Sequence, residues 1–296
     1  MKASFFDLPD FPPEQADVLF VSLPFDGSVS YGKGTSRAPE AIRRASVEIE
    51  LWDEEVDWNL ERLKLAALPP ILPQQGESPA EYQTRTRQGV TAGARESGLV
   101  VGIGGDHSVT APLVHASANS DDLSDITVVQ FDAHADLREE YLGSRESHAC
   151  VMRRVIERGA RVLAVGVRSV EEEEADFERH SSQVETFAAQ DLWRNASSAE
   201  TLIRRLRTLQ GKVYVTFDVD AFEVALCPGT GTPQPGGLGW WQALSHLRAL
   251  LFENTTCCLI GFDVVEVVPQ PHTQVNEVVA ARLVSKILAY AFANPS

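Results

Sequence analysis

Five carboxylate and imidazole side chains stand at alternate positions in two short segments. Asp132, His134 and Asp136 are spaced two residues apart, and Asp218 and Asp220 repeat this spacing. Side chains at alternate positions of an extended backbone point to the same face, so each segment would present its ionisable groups together. Ionised carboxylates crowded into a small volume repel one another unless cations lie between them. The spacing therefore predicts a metal site.

His107, in the segment GGDHS, adds a second imidazole to this set. The four carboxylates and two imidazoles carry four negative charges, which two divalent ions would neutralise, with Asp132 and Asp218 as candidate bridging ligands. Oxygen-rich ligation with two histidines and no thiolate favours Mn²⁺ over zinc, and Ni²⁺, Co²⁺ or Fe²⁺ would also suit. Two metal ions roughly 3.5 to 4 Å apart hold a bridging water as hydroxide near neutral pH. We therefore expect a hydrolase with a hydroxide nucleophile.

The elements that position these residues are short apolar strands. Runs rich in branched and aromatic residues predict buried strands at 18–22, 99–103, 126–131, 161–165, 213–217 and 257–262. Four of these strands end directly in polar segments: GGDHS, DAHAD, DVDAF and DVVEV. In open α/β sheets the carboxyl ends of the strands meet in one crevice, where ligands bind. One site assembled from four segments is expected.

Helical patterns alternate with the strands along the whole chain. The predicted helices are 39–45, 79–96, 109–118, 148–157, 197–209, 239–252 and 274–293. No repeat or linker interrupts residues 1–296, so the fold class is α/β, with one three-layer domain whose central, mainly parallel sheet is flanked by helices. The last helix is expected to cover the sheet, with an assembly contact as the alternative.

The composition of this 296-residue chain limits the classes of binding partner to be expected. A formal charge of −16 disfavours nucleic acid and anionic membranes and tolerates a small cationic ligand, although such a charge is also typical of a solvated acidic surface. No apolar run is long enough to span a membrane, and the first residues lack a basic segment followed by an apolar one, so a cytoplasmic location is expected. The four cysteines form no metal or disulfide pattern, which predicts reduced, mostly buried thiols.

The polar segments resemble those of the ureohydrolase family, which includes the arginases and agmatinases, over nearly the whole chain. Four blocks stand in family order: GGDHS at 104–108, DAHAD at 132–136, TFDVDAFEVALCPGTGTPQPGG at 216–237 and FDVVEV at 262–267. An earlier segment at 23–43, LPFDGSVSYGKGTSRAPEAIR, resembles the agmatinase-type N-terminal block. The resemblance implies an arginase-like fold and assembly into a homo-oligomer, a trimer or a hexamer.

The same resemblance implies a role for each matching residue. One manganese ion would be held by His107, Asp132, Asp136 and Asp218, and the other by Asp132, His134, Asp218 and Asp220. Asp136 would also transfer a proton to the departing amine. Glu266 would pair with the substrate guanidinium, His148 would move protons near the mouth of the site, and the Thr232 hydroxyl would contact the guanidinium.

Two departures from the family pattern affect loop geometry without removing a ligand. Glu223 and Val224 stand where many members have Asp-Pro, and Ala149 follows His148 where many have glycine. These differences in the loops are expected to affect substrate specificity.

The resemblance implies cleavage of a guanidino compound to urea and an amine, and agmatine, which would yield putrescine, is our first choice. The arginase-type Asn- and Ser-rich loop is absent, and residues 137–146 carry carboxylates that could accept an amine tail or could be surface charges. These carboxylates are Glu139, Glu140 and Glu146. Arg138 or Arg145 could instead bind the carboxylate of guanidinobutyrate or guanidinopropionate.

Other substrates and other classes of protein stay open. Aminopropylagmatine, arginine and formiminoglutamate are further substrates to consider, and an inactive metal-binding regulatory homologue is the alternative from another class. A metallophosphatase would need a later GNHD/E-like block and basic groups for phosphate, and this sequence has neither.

Overall fold

Eight parallel strands form the central sheet of the protein, seen in a computed structural model that describes residues 4–94 and 98–293. The strands are β1 (Val18–Leu23), β4 (Leu65–Ala67), β5 (Leu99–Gly104), β6 (Ile126–Phe131), β7 (Arg161–Val165), β8 (Val184–Phe187), β9 (Gly211–Asp218) and β10 (Cys257–Val265). Their order across the sheet is β4-β1-β5-β10-β9-β6-β7-β8, and every neighbouring pair is parallel. Strands β2 (Trp52–Asp53) and β3 (Trp58–Asn59) form a separate antiparallel hairpin.

Helices cover both faces of the sheet. They are α1 (Ala38–Ser46), α2 (Pro79–Ala94), α3 (Thr110–Ala118), α4 (Val151–Ile156), α5 (Glu172–His180), α6 (Ala189–Arg194), α7 (Ala196–Arg207), α8 (Trp240–Leu251) and α9 (Val275–Phe292). One apolar core joins α1 and α6–α9 to the sheet, and a second core joins α2–α5 to its other face. Alternate strand residues supply the two cores, as Phe20 and Leu19 do. The predicted three-layer α/β architecture is confirmed.

Six predicted strands and seven predicted helices are found, with small changes at their ends. The end of the predicted helix 79–96 lies partly outside the described residues, and the predicted helix 148–157 begins as a 3₁₀-helix, His148–Cys150, before α4. Helix α9 packs against α1 and α8 and lies on the sheet core, as the covering role predicted. Among the described residues, no helix is long and apolar enough to cross a membrane.

Two edge strands of the sheet (β4 and β8), the β2–β3 hairpin and the helices α5 and α6 were not predicted from the sequence. Strand β4 has three residues, and β8 lies at the other edge of the sheet with its residues partly exposed, so neither shows a buried apolar run. Helix α6 is also short, and α5 has one buried residue, Glu174. The start of α5 is fixed instead by a capping box between Glu171 and Glu174.

All four cysteines are free thiols, but their burial differs from the prediction. Cys150 and Cys227 are buried, Cys257 is partly buried and Cys258 is exposed. Cys258 lies near the start of β10, where the first four residues of the strand are partly or fully exposed.

Candidate metal centre

The predicted ligands converge where β5, β6 and β9 end. His107 Nδ1 lies 3.1 Å from an Asp132 oxygen, 2.9 Å from Asp136 and 3.6 Å from Asp218. All four side chains are buried. The sheet therefore gathers one imidazole and three carboxylates from three segments that are distant in sequence.

A second group lies beside the first and shares Asp132 with it. His134 Nδ1 is 3.0 Å from Asp220 and 3.6 Å from Asp132. Ligand atoms of His107, Asp132 and Asp218 fall within 4.8 Å of one another, and so do those of Asp132, His134 and Asp220. Asp132 thus belongs to both of these groups, whereas Asp218 belongs only to the first.

The backbone brings the ligands together differently from the extended geometry assumed above. Asp136 has a left-handed φ of 54°, and Asp220 lies in a 3₁₀-helix, Val219–Ala221. Asp218 caps that turn by accepting the Asp220 N–H at 2.8 Å, and Asp132 accepts the His134 N–H at 2.6 Å. The expectation of two continuous extended segments is therefore wrong, because side-chain-capped turns follow the strands.

The charges of the cluster fit divalent cations. Burial, together with Asp132, raises the pKa of Asp136 to about 7. Burial, Asp220 and Asp132 raise the pKa of Asp218 well above its ordinary value. His107 Nδ1 is buried beside three carboxylates without hydrogen-bond geometry to any of them. Metal ions among these atoms would relieve the repulsion between carboxylates and coordinate the free imidazole nitrogen.

A cavity of about 160 Å³ opens from this cluster to the surface. Its lining includes the four residues predicted for catalysis or substrate binding: Asp136, His148, Thr232 and Glu266. The structure thus brings these side chains to the same cavity as the predicted metal ligands.

Glu266 is a buried carboxylate beside the ligands. Its φ of 62° lies in the left-handed region, and its backbone N–H bonds to the Gly105 carbonyl at 2.9 Å. Oε1 accepts the backbone N–H of His107 at 2.8 Å. Burial, with Asp106 nearby, raises the pKa of Glu266 well above its ordinary value. The cost of burying this carboxylate falls when a cation such as a guanidinium pairs with it.

His148 is held from the N-terminal loop. Its backbone N–H donates to Ser28 Oγ at 3.0 Å, and Ser28 in turn donates its N–H and hydroxyl to Asp106 at 2.9 Å each. The Tyr141 ring lies nearly perpendicular to the imidazole, with 5.7 Å between their centroids. Burial lowers the pKa of His148, which favours the neutral imidazole that can accept a proton.

Arg168 fixes the loop that carries Thr232, a role that was not predicted from the sequence. Its guanidinium donates to the carbonyls of Asp220 and Gln234, each at 2.7 Å, and to further carbonyls of Gly166, Phe222 and Pro235. The Thr232 hydroxyl then lies 3.4 Å from Asp220. The available signal was an arginine three residues after β7, at the same sheet edge as the predicted ligands.

The charged residues at the mouth differ from those expected in loop 137–146. Glu139 forms ion pairs with Arg145, Arg153 and Arg154, Glu146 lines a separate cavity, and Glu140 does not line the cavity beside the ligands. Arg145 also pairs with Glu157, at 3.1 Å, and does not line the cavity either. None of the three predicted amine acceptors therefore lines the cavity beside the ligands, and arginines of the surface pair with one of them, Glu139.

Glu171 and Glu174, at the start of α5, line the mouth instead. From the loop, Arg138 and Tyr141 reach the cavity. The Arg138 guanidinium lies 3.2 Å from Glu171 and 4.7 Å from the Tyr141 ring centroid. The strand-end rule could have found these carboxylates, because the run Glu171–Glu174 follows shortly after β7.

Comparison with known proteins places the chain in a family. A model of the arginase family matches residues 16–290. The N(1)-aminopropylagmatine ureohydrolase of Synechocystis sp. is 35% identical over 280 residues, covering 93% of this chain and 89% of that protein. The agmatinase of Pyrococcus horikoshii is 34% identical over 283 residues, covering 95% of this chain and 94% of that protein.

The fold agrees with these relatives. The crystal structure of an agmatine ureohydrolase from Thermoplasma volcanium superposes with a TM-score of 0.85 at 26% identity, covering 98% of this chain and 94% of that one. The chain therefore belongs to the arginase family and is an agmatinase-like ureohydrolase, a hydrolase of guanidino carbon–nitrogen bonds.

Proposed function

We propose that the protein hydrolyses agmatine to urea and putrescine, using two divalent ions held by the six predicted ligands. The observation that carries this proposal is the cavity in which Glu266 lies beside the ligand cluster and acidic groups line the mouth. Two divalent ions at this site would supply a hydroxide nucleophile at neutral pH. In the reaction, a water oxygen adds to the guanidinium carbon, the bond from that carbon to the tail nitrogen breaks, and that nitrogen takes a proton.

Three residues would act on the guanidinium end of the substrate. Glu266 would bind the planar guanidinium through the carboxylate oxygen not used by His107, since a carboxylate pairs well with this donor geometry. Thr232 would contact the same group. Asp136 would transfer the proton to the departing nitrogen, because its carboxylate lines the cavity beside the other predicted ligands.

The mouth of the cavity supports an amine tail over a carboxylate tail. Two carboxylates, Glu171 and Glu174, face a single arginine, Arg138, so the local charge favours a cation. Arg138 already rests between Glu171 and the face of Tyr141, an arrangement that stabilises a positive group. To bind Arg138, the carboxylate of guanidinobutyrate would have to replace Glu171 in its ion pair with this arginine.

N(1)-Aminopropylagmatine is the second candidate substrate. Glu171 has a side chain 64% exposed, so a longer cationic tail could extend past it into solvent. The name of the Synechocystis relative favours the same compound.

A substrate panel tests the proposal. Metal-loaded enzyme is assayed for urea release from agmatine, aminopropylagmatine, guanidinobutyrate, guanidinopropionate and arginine, and for glutamate release from formiminoglutamate. We expect agmatine to have the highest kcat/KM. A higher value for another compound would overturn the choice of substrate, and inactivity toward all of them would favour the regulatory homologue.

The Glu171→Gln variant tests how the tail is recognised. Because this carboxylate is exposed, its contact with an ammonium is worth at most about 1 kcal/mol, so KM for agmatine should rise about fivefold with kcat nearly unchanged. Glu172→Gln, at the next position and outside the cavity lining, is the matched control. Equal KM values for both variants would exclude Glu171 as the tail contact.

The proposal also includes the cellular setting. Mn²⁺ is the proposed resident ion, with Ni²⁺ or Co²⁺ as alternatives, and the proposed assembly is a trimeric or hexameric homo-oligomer in the cytoplasm that does not bind nucleic acid or membranes. Metal analysis of the purified protein and sedimentation velocity test the first two points.

A further inference from the structure

We propose that Thr216 and Asp263 position the His107 imidazole so that its Nδ1 atom faces the metal site. The inference rests on the proposed metal centre and adds two residues that are not themselves ligands. They are positioning residues, since both act through His107.

A chain of buried hydrogen bonds runs from the back of the imidazole into the sheet. His107 Nε2 lies 2.8 Å from Thr216 Oγ1, and the Thr216 hydroxyl donates to Asp263 Oδ1 at 2.6 Å. The Tyr214 hydroxyl donates to the other Asp263 oxygen at 2.8 Å. All four residues are at most 1% exposed, so water does not compete for these bonds.

The donor directions in this chain favour one tautomer of the neutral imidazole. Because the Thr216 hydroxyl gives its hydrogen to Asp263, its oxygen is left to accept from His107 Nε2–H. A proton held on Nε2 leaves the Nδ1 lone pair free in the neutral imidazole. Nδ1 is the atom that faces Asp132, Asp136 and Asp218 and has no hydrogen-bond partner.

The pairing of the strands determines the geometry of these hydrogen bonds. Thr216 on β9 and Asp263 on β10 are directly paired neighbours, and Tyr214 lies two residues before Thr216 on the same strand face. Gly102, opposite Asp263 on β5, leaves the necessary space, because a Cβ atom there would lie 2.9 Å from the Asp263 Cβ. Three adjacent strands therefore build the support beneath one ligand.

The other histidine ligand lacks a comparable support. In the ranges 4–94 and 98–293, no hydrogen-bond partner is found for His134 Nε2, and its side chain is 23% exposed. Removing the Thr216 hydroxyl should consequently affect only the metal ion that His107 binds. Loss of such an outer partner typically lowers metal affinity by about 10- to 100-fold.

The test compares Mn²⁺ titrations of metal-free protein, with free Mn²⁺ followed by electron paramagnetic resonance. We expect wild type to bind two equivalents per chain. Thr216→Val should bind one of them about 10- to 100-fold more weakly and leave the other unchanged, whereas Thr216→Ser should bind both normally. Thr127→Val, which replaces a buried threonine at the start of β6, is the matched control and should match wild type.

Several results would overturn the inference. These are unchanged binding of both equivalents by Thr216→Val, equal weakening of both, or weakening by the Thr127 control. If Thr216→Val does not fold, Asp263→Asn, which alters the hydrogen-bond partner of Thr216, should weaken the same equivalent to a smaller extent, and normal binding by that variant would refute the inference. Absence of Mn²⁺ binding by wild type would instead refute the proposed metal centre, and two bound ions without urea release would refute only the proposed activity.

Discussion

Replacing Glu266 with glutamine tests the guanidinium contact with little change in shape. Oε1 of Glu266 accepts the His107 N–H, and the glutamine carbonyl can keep that bond. The amide NH₂ must then face the cavity, where it meets the N–H donors of the guanidinium. The variant therefore loses an acceptor and gains a conflicting donor at the same position.

The expected loss follows from these two contacts. A charge-assisted hydrogen bond contributes about 1.5 to 3 kcal/mol, and an unpaired buried donor costs about 1 to 3 kcal/mol. Taking about 3 to 4 kcal/mol for both together, kcat/KM for agmatine should fall by roughly a few hundredfold. Because the His107 N–H keeps its acceptor, the metal content and the thermal unfolding temperature should stay near wild type.

Steady-state urea release, measured alongside metal content, checks this expectation. Glu277→Gln is the control, since Glu277 is also buried, on α9, and does not line the cavity. A kcat/KM for Glu266→Gln within about fivefold of wild type, with full metal loading, would refute the pairing of Glu266 with the guanidinium. A similar loss in the control would assign the effect to disturbed packing.

Three further predictions concern proton transfer, pH and stability. Asp136→Asn should lower kcat by about 10²- to 10⁴-fold and reduce the metal retained after gel filtration, and near-normal turnover would contradict its role. Burial lowers the pKa of His246 to about 4. Below about pH 6.5 the imidazole is therefore protonated in the unfolded chain, whereas it stays neutral in the folded chain. In urea unfolding of the metal-free proteins, the free energy of unfolding of wild type should thus fall between pH 7 and 5 by roughly 2 kcal/mol more than that of His246→Leu. Parallel pH dependences of the two free energies would exclude this effect. The Lys286 ammonium is buried 2.9 Å from Asp53. The Lys286→Met variant should lower the free energy of unfolding by about 3 to 5 kcal/mol, and adding Asp53→Asn should restore part of this loss.

Local patterns in the sequence determined most of the fold. The six predicted strands are buried runs whose composition alone distinguishes them, and the helices between them carry apolar faces for the two cores. Strands β4 and β8 and helix α5 escaped prediction because edge strands and half-exposed helices carry weak apolar patterns. Their positions depend on neighbours that the local sequence does not specify.

The sequence by itself also determined the residue types of the predicted metal site and the edge of the sheet where they meet, because parallel strands with polar carboxyl ends can converge only there. Only the tertiary structure decided which charges reach the cavity. Glu139 is engaged by arginines of the surface, whereas Glu171 enters the mouth from the start of α5. The hydrogen bond between Thr216 and Asp263 behind His107 likewise depends on the pairing of β9 with β10, since Thr216 and Asp263 are far apart in sequence and meet only through strand register.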